Sequence, residues 1–396
     1  MRHFNYLSFD EMQTIFLEPP ASFPIHSDKD LLSYSLGATL YMPATRQQIT
    51  ADILTGKHEG LVSMVICLED AIGDDELVSA EISLITQMKQ LANHLKTGNL
   101  HPDLLPLIFV RVREPAQMAR VIDSLGEEIY VIKGFVFPKF TSDNGAHYFN
   151  TLQSYNHFLP NTLYGMPILE TRDIVYRETR IDSLIGIKSI LDTYRSLVLN
   201  VRMGATDFSS LFGLRRGPDV TIYDIATIRD CIADIINVFG RIDNDYVVSG
   251  PVWEYFSHRD RVLKPQLRQT PFQDHFGSHG VEMRQQLINH YVDGLIREIL
   301  LDKENGIIGK TIIHPSHIKP VQSLLIVSHE EYMDARSIVE NNNGQLGVMK
   351  SEYSNKMNEI KPHLNWARKI MLRSRIYGVF REQHNFIDLL AVPVYG

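Results

Sequence analysis

Short apolar runs rich in β-branched residues recur along the chain, separated by longer stretches in which apolar positions fall three and four residues apart. The runs are ATLYM (38–42), VSMVICL (62–68), PLIFVRV (106–112), VIKGFVF (131–137), LYGMPIL (163–169), SLVLNVRMG (196–204), YVVSG (246–250) and IIGKTII (307–313). Between them, ELVSAEISLITQMKQLANHL (76–95) and DIATIRDCIADIINVFG (224–240) carry a helical period. Strands that alternate with helices predict parallel βαβ units, and eight such units predict an α/β fold of the (β/α)8 TIM-barrel type. The rival, a doubly wound open sheet, would place a Gly-rich phosphate turn after its first strand. This chain reads MPATRQQ there, which favours the barrel.

The pattern also divides the chain. Residues 1–37 precede the first run as an N-terminal extension, 38–320 hold the barrel, and 321–396 form a C-terminal helical extension with EEYMDARSIVEN (330–341) and HLNWARKIMLRSRIYGVF (363–380) as helices. One connection is unusually long, residues 250–280 after the seventh strand, where it would hang over the barrel mouth as a lid. Its His258, His275 and His279 and its Arg259, Arg261 and Arg268 are candidates to touch substrate; a subunit interface or ordinary surface is an equal reading. Trp253 and Phe256 could stack on a base or simply pack the lid down.

Composition narrows the function. With 44% hydrophobic and 22% charged residues the chain is globular, and its net charge of −8 offers nothing to nucleic acid or an anionic membrane. Only Cys67 and Cys231 are present, both inside apolar segments, so neither a disulfide framework nor a cysteine metal site is expected. The N-terminus lacks a signal-peptide core, and no run reaches the roughly 18 apolar residues of a membrane span, so a cytoplasmic protein is expected.

Residues just past each barrel strand form the catalytic face of such a fold. Here they are Arg46, Glu69 and Asp70, Arg111 and Arg113, Lys139, Glu170 and Arg172, and Asp207. Carboxylates and guanidinium groups without a histidine or cysteine set suit a hard cation and an anionic substrate. Each has a plainer reading: Asp70 or Asp207 as a helix N-cap, any lone arginine as a surface ion pair. Glu170 and Asp207, however, terminate consecutive strands and would be neighbours in a closed barrel. Lys139 and Lys310 are further anion contacts or ion-paired lysines, and His314 either carries protons or braces its loop.

LYMPATR, VICLEDAIGDDE, IFVRVRE, GFVFPKF, MPILET, GATDFSSLFG and GKTIIHPSHI resemble, in that order, segments of the citrate lyase beta-subunit-like family of the HpcH/HpaI aldolase superfamily. The likeness covers residues 38–320 and looks closest to a divergent branch found in bacterial stress-response and tellurium-resistance gene clusters. It implies a lyase that makes or breaks a C–C bond next to a thioester or oxo acid, with Mg2+ (or Mn2+) as cofactor and usually a homo-oligomer of barrels. By motif, Glu170 and Asp207 match the metal carboxylates, and Arg111 the arginine on the substrate's carboxylate and carbonyl oxygen. Glu69 and Asp70 match the acidic pair beside the metal, and Arg46 an arginine holding a substrate carboxylate or phosphate. Arg113 stands where the family has asparagine, implying a more anionic substrate. The family's C-terminal Met-x-Asp-x-Pro aspartate, which acts in a neighbouring subunit, has its nearest match in KMNEIKPHLNWA as Glu359, with the spacing slipped by one.

The expected substrate is thus a small carboxylate or a coenzyme A thioester. A phosphorylated sugar or nucleotide-derived substrate, hinted at by Arg113, Arg215 and Arg216, is the second reading, and a non-catalytic barrel subunit the third.

Overall fold

The computed structural model describes residues 1–256 and 292–390. Eight parallel strands close into a barrel: β2 (Ala38–Pro43), β3 (Ser63–Cys67), β4 (Leu107–Arg111), β5 (Gly134–Phe137), β6 (Tyr164–Leu169), β7 (Val201–Met203), β8 (Val248–Trp253) and β9 (Lys310–Ile312). Each lies within or overlaps one of the eight apolar runs. The run at 196–204 yields only three strand residues because Arg195–Leu197 first make a 3-10 turn.

Strand alternation sorts the side chains. Tyr41 pairs with Val65, Cys67 with Arg111, Ile168 with Arg202 and Arg202 with Ser249, so these residues share the inward face. Outside, the predicted helix at 76–95 forms over Leu77–Lys96 and buries Ala80, Leu84, Met88 and Leu91, one stripe at a spacing of three to four. The helix predicted at 224–240 forms over Ala226–Phe239. At β5, glycine is required by close approach, since a Cβ on Gly134 would sit 2.1 Å from the Tyr164 carbonyl oxygen.

The segments flanking the barrel join one another. Short strand β1 (Phe16–Glu18) pairs antiparallel with β12 (Val379–Phe380), and Met1, Phe4 and Phe16 share one apolar core with the barrel and with Tyr377 and Leu389. The two C-terminal helices appear as His329–Glu340 and Ile360–Tyr377, connected by a ribbon of β10 (Val348–Lys350) and β11 (Met357–Glu359) that periodicity does not announce. Of the lid, only Gly250–Phe256 is described; its three histidines and three arginines lie outside the described residues. No described helix is long and apolar enough to cross a membrane.

Candidate active site at the barrel mouth

β3 ends at Cys67, and the next residues carry two carboxylates to the mouth. Leu68 extends the sheet by donating its N–H to the Arg111 carbonyl at 2.9 Å, and Ile72 closes a turn onto the Glu69 carbonyl at 3.0 Å. Glu69 is consequently buried, whereas Asp70 is half-exposed. Arg111, at the end of the adjacent β4, comes within 3.3 Å of Glu69 and 3.9 Å of Asp70. Its Nε and Nη2 donate to Cys67 Sγ at 3.2 and 3.1 Å, which fixes the guanidinium plane. Lys139 closes the circle, with Nζ 2.7 Å from Glu69 Oε1 and 3.4 Å from Asp70 Oδ1. The hydrogen bond to Glu69 holds its ammonium above the ordinary lysine value.

Lys139 adopts φ +48°, a left-handed conformation that L-residues seldom adopt without a local reason. The result is visible in its backbone N–H, which donates to Glu170 Oε1 at 2.7 Å. Glu170 is buried against Gly204, where a Cβ would fall 2.3 Å from Glu170 Oε2, so the glycine of GATD makes room for that carboxylate. Gly204 also starts the short helix Ala205–Ser210 that presents Asp207. Burial first, and the Asp207 charge second, push Glu170 up to about 8; burial and the charges of Asp70 and Glu69 likewise raise Asp207. Two carboxylates that resist ionising together mark a place where a cation would be welcome.

The donor set fits Mg2+. Among the described residues no three His, Cys, Asp or Glu side chains converge as a full cage. Mg2+ needs none, because it is commonly held by one or two carboxylates and completes its shell with water and substrate oxygens. Glu170 and Asp207 would supply such a pair. Beside them lies a cleft of about 520 Å³ lined by Glu69, Asp70, Arg113, Lys139, Asn144 and Tyr148.

Several residues expected at the mouth are engaged elsewhere. Arg46 makes a two-nitrogen contact to buried Asp52, so it is not a free substrate cation. Arg113 reaches the cleft, but it donates to the Leu68 carbonyl at 3.0 Å and pairs with Asp74 at 2.6 Å, bracing the acidic turn. Lys310 faces outward from β9 into a buried cluster with Glu298 and Asp302, both at 2.8 Å, and is no anion contact at the mouth. Arg216 is buried between Glu298 and Glu254 and lies 4.8 Å over the Trp253 ring, which removes one of the arginines favouring a phosphorylated substrate. Trp253 itself is fully buried and packs rather than waits for a base.

His314 braces its loop. Its Nδ1 accepts from the Ser316 backbone N–H, and its ring stacks on Phe256 at 4.4 Å. Glu359 is exposed at the end of β11 and, among the described residues, touches none of the mouth side chains of its own chain. Sequence reasoning missed Cys67 as the sulfur acceptor for Arg111, and also Gly204, Tyr148 and the inward-facing Tyr41 and Arg202. Period-two counting from the ends of β2 and β7 would have found the last two.

Comparison with known proteins agrees with this geometry. A family model described as C–C bond lyase of the TIM-barrel fold matches residues 30–379. No curated protein matches the chain. Among solved structures, the protein CitE of Mycobacterium tuberculosis, in complex with magnesium, acetoacetate and coenzyme A, is similar over 86% of this chain and 99% of its own, at 16% identity and a TM-score of 0.50. A citrate lyase from Burkholderia xenovorans LB400 is similar over 87% and 93%, at 12% identity and a TM-score of 0.56. At such identities the likeness concerns the fold. The family match spans most of the chain, and with the barrel and its charged mouth it carries the conclusion that this protein belongs to the C–C bond lyases of the TIM-barrel fold and is a carbon–carbon lyase.

Proposed function

We propose that the chain is a Mg2+-dependent lyase that cleaves or forms a C–C bond in a carboxylated substrate by way of an enolate. The observation that carries this reading is buried Glu170 paired with half-buried Asp207, set beside an Arg111 that is already locked in orientation. In the cleavage direction a hydroxyl carbon becomes a carbonyl as its O–H proton leaves, and the electron pair of the broken C–C bond passes to the other fragment as an enolate, which a proton then quenches. Glu170 and Asp207 would hold Mg2+, which supplies Lewis-acid polarisation of the oxo-acid oxygens.

The protein's own residues supply the rest. Arg111, 12% exposed and fixed by Cys67 and Glu69, offers its remaining N–H groups to oxygen that gains charge as the bond breaks. Its field costs no reorganisation, because the sulfur and the carboxylate hold it before substrate arrives. Glu69 and Asp70 also anchor Lys139, whose backbone positions Glu170. Glu359 has no part in this reading within one chain.

Calorimetric titration of Mg2+, alone and then with oxaloacetate, pyruvate, glyoxylate or acetyl-CoA, tests the proposal. Binding of the metal that tightens with an oxo acid is expected, and a further gain with acetyl-CoA would identify a thioester substrate. Metal binding indifferent to all four, or no metal binding, sinks the reading.

A further inference from the structure

Deeper in the barrel lies a cation that the lyase reading does not use. Arg202 projects inward from the middle of β7, between Val201 and Met203, and is only 1% exposed. Nη2 donates to Thr311 Oγ1 at 2.7 Å, while Nε and Nη1 have no hydrogen-bond partner. Among the described residues no carboxylate lies within ion-pair distance of it. The face of Tyr41 lies 5.6 Å from the guanidinium carbon. An ionised arginine cannot escape by losing its proton, so burial without a counter-charge is a standing cost to the fold.

Its surroundings show what would relieve that cost. Arg202 pairs with Ile168, two residues before Glu170, and Gly204 donates its N–H to the Leu169 carbonyl at 3.0 Å. The guanidinium therefore belongs to the layer directly below the Glu170–Gly204 contact. Tyr41 and Thr311, the two side chains that touch it, point inward and are themselves only half-buried. Arg111 lies at the same distance, 5.6 Å, from the Tyr41 ring. Tyr41 thus separates a guanidinium already matched to Glu69 and Cys67 from one with no counter-ion.

Resting on the lyase reading of the mouth, we propose that Arg202 binds a second carboxylate of the substrate, making this lyase selective for a dicarboxylic molecule. One acidic end meets Arg111. The other descends past Tyr41 to Arg202, where it supplies the missing counter-charge. A monocarboxylate satisfies only one of the two positions.

The test uses the full chain in metal-free buffer, so that it does not depend on Mg2+. Malonate, succinate and acetate are titrated into wild type, R202Q and R202K. A dicarboxylate should bind wild type at least about tenfold tighter than acetate, as expected for one added charge-assisted contact. R202Q should lose that margin, and R202K should retain part of it with a smaller gain, since a lysine replaces the planar fork with a point charge. R202Q should also melt at or above the wild-type temperature without ligand, because an uncompensated charge has been removed. If R202Q fails to fold, R202K decides: an unchanged margin there overturns the proposal. Equal binding of acetate and dicarboxylates by wild type, or a margin that survives in R202Q, overturns it as well. A dicarboxylate margin with no response to Mg2+ would sink the metal-lyase reading and leave Arg202 standing; Mg2+ binding that tightens with pyruvate, without a dicarboxylate margin, would do the reverse.

Discussion

At the barrel mouth, the Asp207 charge bears on buried Glu170, and Arg202 lies below with two nitrogens unpartnered among the described residues. Behind β9 the same residue types are arranged in the opposite way. Lys310 lies between Glu298 and Asp302; Glu298 also takes Arg216 and the Ile222 N–H, and Asp302 takes the Tyr223 hydroxyl at 2.6 Å. Every buried charge in that cluster has its partners, so it can brace the outer face of the barrel and has no bond left to offer a ligand. Burial alone therefore does not mark function in this molecule. The functions proposed above rest instead on buried charges whose partners are missing among the described residues.

Substitutions should separate the two regions cleanly. The largest effect is expected from E170Q or D207N, which should lower Mg2+ affinity and kcat/KM each by about 100- to 1,000-fold, the scale on which one preorganised electrostatic group acts. Folding should survive, because the amide variants keep the side-chain volume and, at position 170, an oxygen that can accept the Lys139 N–H, while removing a charge that burial disfavours. Calorimetry with thermal melting checks both parts, and unchanged metal affinity in either variant would move the metal elsewhere. Lys310→Met should behave inversely. It leaves Glu298 and Asp302 buried without their cation and should cost about 3–5 kcal/mol of stability, while Mg2+ affinity per folded molecule stays within a factor of two or so of wild type. Denaturant unfolding measures the first, and a large loss of metal affinity in the folded fraction would tie the two clusters together.

Much of this was legible in the chain. Eight β-branched runs separated by helical stretches specify a closed barrel, and motif position brought Glu69, Asp70, Arg111, Glu170 and Asp207 to one end of it. What strand-end position cannot tell is which way a side chain points. Lys310 and Arg46 looked like mouth cations, yet Lys310 alternates with inward-facing Thr311 and so faces out, and Asp52, six residues on, captures Arg46. Arg202 escaped for the opposite reason, since it sits inside an apolar run that reads as core. The two- and three-residue strands β1, β10, β11 and β12 are too short to impose a period and are held by tertiary packing.

Acid and alkali should press on the two regions with opposite signs. His317, under the β8–β9 end, donates its Nε2–H to the Tyr255 carbonyl at 3.0 Å, and His3 donates its Nε2–H to the Ser35 carbonyl at 3.0 Å while its ring packs 4.4 Å from Tyr377. Burial lowers both from 6.5 to about 4. The unfolded chain therefore takes up protons first as pH falls, and stability is intact above 6.5 and is lost down to about 4, on the order of 3 kcal/mol for each ring. Glu170 runs the other way. Raised from 4.5 to about 8, it favours the metal-free fold fully below 4.5 and loses that contribution as pH climbs through 8. Stability of the metal-free protein should thus fall on both limbs. The double variant H3Q/H317Q should flatten the acid limb alone, and E170Q the alkaline limb alone. Denaturant unfolding from pH 4 to 9 in EDTA reads both, and an acid limb unchanged in the double variant would mean that the scaffold's acid sensitivity comes from its paired carboxylates instead.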